Sequence, residues 1–228
     1  MNEVRTIHID MESTITVLHR EELLLEHAPH SVQFQSLTEK LLSVFATTAV
    51  IPPLTALEIR FYSTLALLHD IGKQAIPPEI LNKPGSLTAE EFEVVKTHTT
   101  QGCRILEEHP ALRRCEAFSA ICDVCRHHHE RWDGGGYPDG LTGVYIAPWV
   151  QVVGLADAFD ALVHPRVYKQ AYSVEQARRM IASGACGAFD PQMLAAFSRD
   201  ISSIACMVYG GDIGMTSAGK SGCAAPTL

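Results

Sequence analysis

Apolar residues recur at helical spacing along most of this chain, and that recurrence leaves it few ways to fold. In "APHSVQFQSLTEKLLSVFATTA", His30, Phe34, Leu37, Leu41 and Val44 follow at intervals of four, three, four and three, one face of a helix, with Pro29 suited to its first position. "PPLTALEIRFYSTLALLHD" opens on a Thr55 and Glu58 capping box, carries its apolar stripe through Phe61, Leu65 and Leu68 into His69, and stops near Gly72. A third helix starts at a Thr88 and Glu91 box, continues through "VVKTHTTQGCRILEEH", and puts His98 one turn after Val95. "PALRRCEAFSAICDVCRHHHE" forms a fourth, halted by "DGGGYPDG", where glycines and a proline favour a loop. A fifth begins at Pro148 and sets Val150, Val153, Asp157 and Asp160 near one face; "SVEQARRMIASG" and "DPQMLAAFSRDISSIACMVY" supply two more, the latter capped by Asp190. Convincing strand alternation and internal repeats are missing, so the expected fold is all-α.

At 228 residues and 46% hydrophobic content the chain can bury one sizeable core. Residues 1–20 read as an N-terminal extension, 21–208 as the folded domain, and 209–228, small and polar, as a flexible C-terminal tail. No apolar run is long enough to span a membrane and the first residues lack a signal-peptide pattern, which makes the cytoplasm the expected location. Seven cysteines without an export signal read as reduced thiols. A formal charge of -8 argues against duplex nucleic acid as partner, and a small anionic substrate would need metal ions to supply local positive charge.

The metal-capable side chains gather on the faces that this periodicity turns inward: His30, His69 with Asp70, His98, His128 with His129, and Asp157. A lone inward histidine is ordinarily a core residue paired with a backbone carbonyl. Five helices that each present such a group, with no matching set of cations, would bury them at a cost that divalent metal removes. Imidazole and carboxylate without thiolate suit Fe(II), Mn(II), Zn(II), Co(II) or Ni(II), and the donors exceed the roughly four of one structural zinc site, which implies two or more ions. Asp70 can bridge two ions through its two oxygens while His69 holds one of them. A water or hydroxide shared between such ions suits in-line attack on phosphorus, so phosphoester hydrolysis is the expected chemistry.

Three stretches carry a family resemblance: "HDIGK" at 69–73, "HHERWDGGGYPDG" at 128–140 and "ADAFDALVHPRVYK" at 156–169. In this order and spacing they resemble the HD-x-GK segment, the HHE-xx-DG-x-GYP signature and the later aspartate-arginine-lysine segment of the HD-GYP family of metal-dependent cyclic dinucleotide phosphodiesterases, within the HD superfamily. The resemblance implies an HD-domain helical bundle with a glycine-rich GYP loop, and 21–208 as its catalytic domain. It implies His69, Asp70, His98, His128, His129 and Asp157 as ligands to divalent ions, iron or manganese, with Asp70 bridging. Asp70 and Lys73 would be the catalytic pair, Lys73 contacting the nucleophile or a phosphate oxygen. Arg166 and Lys169 would bind phosphate or guanine, one as a fork and one as a point charge. Glu26 and His30, in "EHAPH", stand where members with three metals carry E-T-G-x-H; their spacing is kept and the Thr-Gly between them is absent. With both bound the site would be trinuclear and hydrolysis would run past the linear dinucleotide. Gly136, Tyr137 and Pro138 would shape the site and dock a partner such as a GGDEF-type cyclase.

The expected activity is therefore hydrolysis of cyclic di-GMP to linear pGpG, to GMP, or to both. Val163, His164 and Val167 replace the family's small polar and proline residues, so cyclic GMP-AMP stands as an alternative substrate. A catalytically silent cyclic dinucleotide sensor is the alternative of another class, disfavoured by the intact "HDIGK". His127 reads as a residue beside the ligands rather than one of them, and Cys122 with Cys125, on one helix face, as core packing. Fewer than 30 residues precede Glu26, too few for a receiver module, so a stand-alone catalytic domain is expected.

Overall fold

The computed structural model describes residues 10–20, 31–165 and 171–210. Its elements run α1 Met11–Arg20, α2 Ser31–Thr47, α3 Ala56–Leu65, α4 Pro78–Leu81, α5 Ala89–Lys96, α6 His98–Glu107, α7 Pro110–Arg113, α8 Phe118–His127, α9 Pro148–Val163, α10 Val174–Ala182 and α11 Pro191–Tyr209. Short 3-10 turns at Ala66–Leu68, Ile71–Ala75 and Gly143–Tyr145 join them. Among the described residues there is no strand, only an isolated bridge between Asp133 and Thr142. The all-α expectation holds.

The bundle is organised around α9. Apolar residues cover it all round, and 12 of its 16 residues are buried, the pattern of a helix inside a core rather than on a surface. Helices α2, α8 and α10 pack against it. Trp149 stacks on Tyr62 at 4.6 Å between ring centroids, and Phe159 meets Phe197 of α11 edge-on at 5.7 Å. The polar residues of so apolar a helix each have a task. Gln151 donates to the carbonyls of Gly143 and Ile146, Asp160 accepts from the Tyr209 hydroxyl, and Asp157 turns toward His69.

The capping boxes form as the sequence predicts at Thr55 with Glu58 and at Thr88 with Glu91, and Asp190 caps α11 by accepting from the amides of Gln192 and Met193. Three helix boundaries differ from the sequence reading. The helix leading into His69 leaves α geometry at Leu65 and tightens into the 3-10 turn. The segment read as one helix through His98 is two, α5 and α6, broken at Thr97. There the hydroxyls of Thr97, Thr99 and Thr100 all donate to carbonyls three residues back, competing with the helical ladder. The fourth predicted helix is likewise divided, into α7 and α8. The stretch 11–20, for which the sequence suggested no helix, forms α1, and its Ile15 and Leu18 are buried in the common core.

Candidate metal centre

Each helix break puts a metal-capable side chain where a helix begins or ends. His69 follows the 3-10 turn after α3 with Asp70 beside it, His98 opens α6, and His128 and His129 follow α8 directly. Asp157 comes from the middle of α9. The segments approach closely enough for this because of Gly72: a Cβ there would lie 1.9 Å from the His98 carbonyl oxygen and 2.5 Å from the Gly102 nitrogen. Only a glycine lets the turn that carries Asp70 rest on the backbone of α6.

The donors converge in two groups whose ligand atoms lie within 4.8 Å of one another, His98 with His128 and His129, and His69 with Asp70 and Asp157. Asp70 joins them. Its Oδ2 lies 3.2 Å from His69 Nε2, while its Oδ1 lies 3.4 Å from His98 Nε2 and 4.0 Å from His128 Nε2. Asp157 Oδ1 is 3.8 Å from His69 Nε2. Lys73 Nζ, on a partly exposed side chain, pairs with Asp70 Oδ2 at 2.5 Å.

Hydrogen bonds on the far side of the rings decide what these nitrogens offer. His69 Nδ1 bonds the Ala66 carbonyl at 2.7 Å, His98 Nδ1 the Val95 carbonyl at 2.7 Å, and His128 Nδ1 the Val124 carbonyl at 2.9 Å. A carbonyl only accepts, so each Nδ1 carries a proton; His98 and His128, held neutral by burial, turn an Nε2 lone pair inward, and His69 does so once its Nε2 proton is lost. His98 Nε2 and His128 Nε2 then face each other at 3.3 Å as two acceptors, beside Asp70 Oδ1, a buried oxygen with no hydrogen-bond donor. Converging lone pairs around an unpartnered carboxylate oxygen are costly alone and suit a divalent cation. The residues present fit the group.

The electrostatics agree for three of the four rings. Burial holds His98, His128 and His129 below the ordinary imidazole value, which keeps them neutral as ligands must be. For Asp70, burial opposes charge, yet Lys73, His69 and His98 hold the carboxyl well below the usual carboxylate range. His69 differs: burial opposes charge, but Asp70 and Asp157 lift it to about 9, so without a cation its ring is protonated near neutral pH and a metal must displace that proton.

The glycine-rich loop is built onto the segment that carries His128 and His129. Tyr137 stacks on His129 with centroids 4.8 Å apart, and Lys96 lies 5.5 Å over the same ring. A Cβ at Gly136 would come within 2.4 Å of the Arg131 nitrogen, so the loop folds directly back on its own root. Pro138 follows Tyr137 through a cis peptide bond. Two residues that the sequence reading passed over hold this arrangement. Buried Glu130 accepts three amides, Asp139 at 2.7 Å and Gly140 at 3.1 Å on Oε1, and Leu141 at 2.9 Å on Oε2. Arg131 donates to the carbonyls of Cys186, His128 and Glu130 and lies 5.0 Å over the Phe189 ring. The signal for Glu130 was available: a loop with neither ladder nor helix needs an acceptor for its amides, and a carboxylate stands at its start. Outside, Arg126 grips Asp139 with two hydrogen bonds, and His127 sits between Asp123 and Asp139, apart from the two donor groups.

Of the residues read from the sequence as site residues, His69, Asp70, Lys73, His98, His128, His129, Asp157, Gly136, Tyr137 and Pro138 meet in this one region. Glu26, His30, Arg166 and Lys169 lie outside the described residues, as does the segment 211–228. No described helix is long and apolar enough to cross a membrane.

Comparison with known proteins bears on the family and the fold. The family model for the HD domain matches residues 20–193. A Pseudomonas aeruginosa protein named cyclic di-GMP phosphodiesterase is 42% identical over 144 residues, 63% of this chain and 33% of that protein. A Vibrio cholerae protein named 3'3'-cGAMP-specific phosphodiesterase 2 is 38% identical over 127 residues, 56% of this chain and 24% of that protein. The fold resembles that of a solved HDG"Y"P protein from Bdellovibrio bacteriovorus, with TM-score 0.57, 16% identity, and coverage of 84% of this chain and 62% of that one. The chain spans 30 to 36% of the length of the first curated relatives it matches.

Proposed function

This chain belongs to the HD-domain family, a fold that binds divalent metal, and from that premise we propose that it hydrolyses a cyclic dinucleotide, cyclic di-GMP, to linear pGpG or on to GMP. The observation that carries the reading is Asp70, whose Oδ1 lies buried and unpartnered between imidazole lone pairs while Oδ2 faces His69 and Lys73. Two carboxylate oxygens directed at two donor groups suit a pair of divalent ions, iron or manganese, held by His69, Asp70, His98, His128, His129 and Asp157. Held by these residues, such ions would supply Lewis acidity toward a phosphoryl oxygen and would make water acidic enough to serve as a nucleophile.

The chain's own residues do the rest. Carbonyls of Ala66, Val95 and Val124 hold three imidazoles in the ligating tautomer. Lys73 offers an ammonium to the phosphate and offsets charge that builds on its oxygens. Tyr137 walls the ligand His129, and Glu130 keeps the loop that carries Tyr137 in place. Arg166 and Lys169 are proposed to take the second phosphate or the guanine, and Glu26 with His30 to hold a third ion. The GYP loop, Gly136 to Pro138, is the proposed contact for a GGDEF-type partner.

Cyclic GMP-AMP is the second reading, favoured by relatives named as cGAMP-specific at 34 to 38% identity. Presenting both nucleotides together to manganese-loaded protein and separating the products tests it. Faster loss of cyclic di-GMP is expected; faster loss of cyclic GMP-AMP would transfer the assignment, and loss of neither with metal bound would leave the silent sensor.

A further inference from the structure

Away from the metal centre, a pair of thiols spans two packed helices. Cys103 on α6 lies against Cys122 on α8: Cys103 Sγ donates to the Cys122 carbonyl at 3.3 Å and to the Thr99 carbonyl at 3.7 Å. Both side chains are half-buried. Cys122 lines a surface depression of 490 Å³ together with Ser119, Ala120, Asp123, Arg126 and His127, which gives a small solute a way in. The sequence reading coupled Cys122 with Cys125 as core packing. Cys125 does that, buried with its thiol on the Leu68 carbonyl at 3.1 Å, whereas Cys122 faces across to α6.

We propose that Cys103 and Cys122 are an oxidisable dithiol that closes to a disulfide between α6 and α8 by exchange with a small-molecule disulfide. The division of labour follows from the surroundings. The neighbouring Cys122 thiol, with help from Arg126 and His127, holds the Cys103 thiol below the ordinary value, and Cys103 together with burial pushes Cys122 up. Cys103 is therefore the attacking thiolate. It releases its proton to solvent and attacks one sulfur of the small disulfide, whose other sulfur leaves as a thiolate and takes up a proton. Cys122 then loses its proton and attacks Cys103 Sγ in the mixed disulfide, expelling the second small thiol. Two protein thiols are oxidised and one small disulfide is reduced to two thiols. The bond ties the helix that opens with His98 to the one that leads into His128, so oxidation acts on the frame of the ligand site.

Peptide mapping of the whole chain, alkylated after exposure to oxidised glutathione, tests this. Trypsin separates the two thiols, 97–104 holding Cys103 and 115–126 holding Cys115, Cys122 and Cys125, so fragment ions assign the partner. The expected product is a Cys103 to Cys122 link that dithiothreitol reverses; Cys122→Ser should instead retain glutathione on Cys103, and Cys103→Ser should leave Cys122 unmodified. A link to Cys125 or Cys115 would overturn the pairing. Free Cys103 and Cys122 in wild-type protein whose exposed Cys206 has taken up glutathione would overturn the proposal outright, whatever the variants do.

Discussion

At the scale of the residue, the account turns on which atom of each side chain is committed elsewhere. His69, His98 and His128 spend Nδ1 on carbonyls of their own segments, which leaves Nε2 for a cation. Asp70 has an oxygen for each donor group, and Lys73 touches Asp70 without belonging to either group. Metal retention and turnover should therefore separate at Lys73. Lys73→Ala is expected to keep its bound metal and to lose about 100- to 1000-fold in kcat, the scale of one charge-stabilising donor. Metal analysis beside initial rates measures both, and unchanged kcat would remove the lysine from the chemistry.

At the scale of the element, the important pieces are the broken helices and the stapled loop. Most of the helix pattern was legible because apolar spacing and capping boxes act locally. The break at Thr97 was not, since each threonine is tolerable in a helix and only their combined back-bonding beside a packed turn ends it. His98 and Asp157 were legible as inward-facing, but their meeting depends on Gly72, a contact between segments distant in sequence. Glu130 was missed because its signal is indirect: the residue alone looks like any surface glutamate, and only the loop's need for an amide acceptor marks it. Glu130→Gln puts an amide NH2 against loop N–H groups, and it should cost roughly 1–3 kcal/mol in denaturant unfolding, the scale of an unsatisfied buried group. A second element carries a pH signature. His164 caps α9 with Nδ1 3.2 Å from Asp160 Oδ1, and its hydrogen bond to Asp160 raises its pKa. A raised value adds stability that is fully present below about 6.5 and is lost as pH rises through the folded-state value. The melting-temperature gap between metal-free wild type and His164→Gln should narrow on going from acid to alkaline pH; a constant gap would show that charge plays no part.

At the scale of the whole molecule, a bundle wrapped round α9 brings four described segments to one cluster, and ions bound there would link those segments together. A ligand that binds only the folded chain stabilises it by mass action, about 2.7 kcal/mol at a hundredfold excess over Kd. For a chain of this size, stripping the metal should lower Tm by roughly 5–10 °C, with recovery on manganese addition, as read by scanning calorimetry. The most direct measurement combines metal content with product. Metal-free protein is titrated anaerobically with Mn(II) or Fe(II), bound metal per chain is determined, and cyclic di-GMP products are separated at each step. The account predicts that pGpG or GMP appears as the second ion binds and that Asp70→Asn neither holds the pair nor forms product. Two ions bound without hydrolysis, or hydrolysis by Asp70→Asn at the wild-type rate, would contradict it.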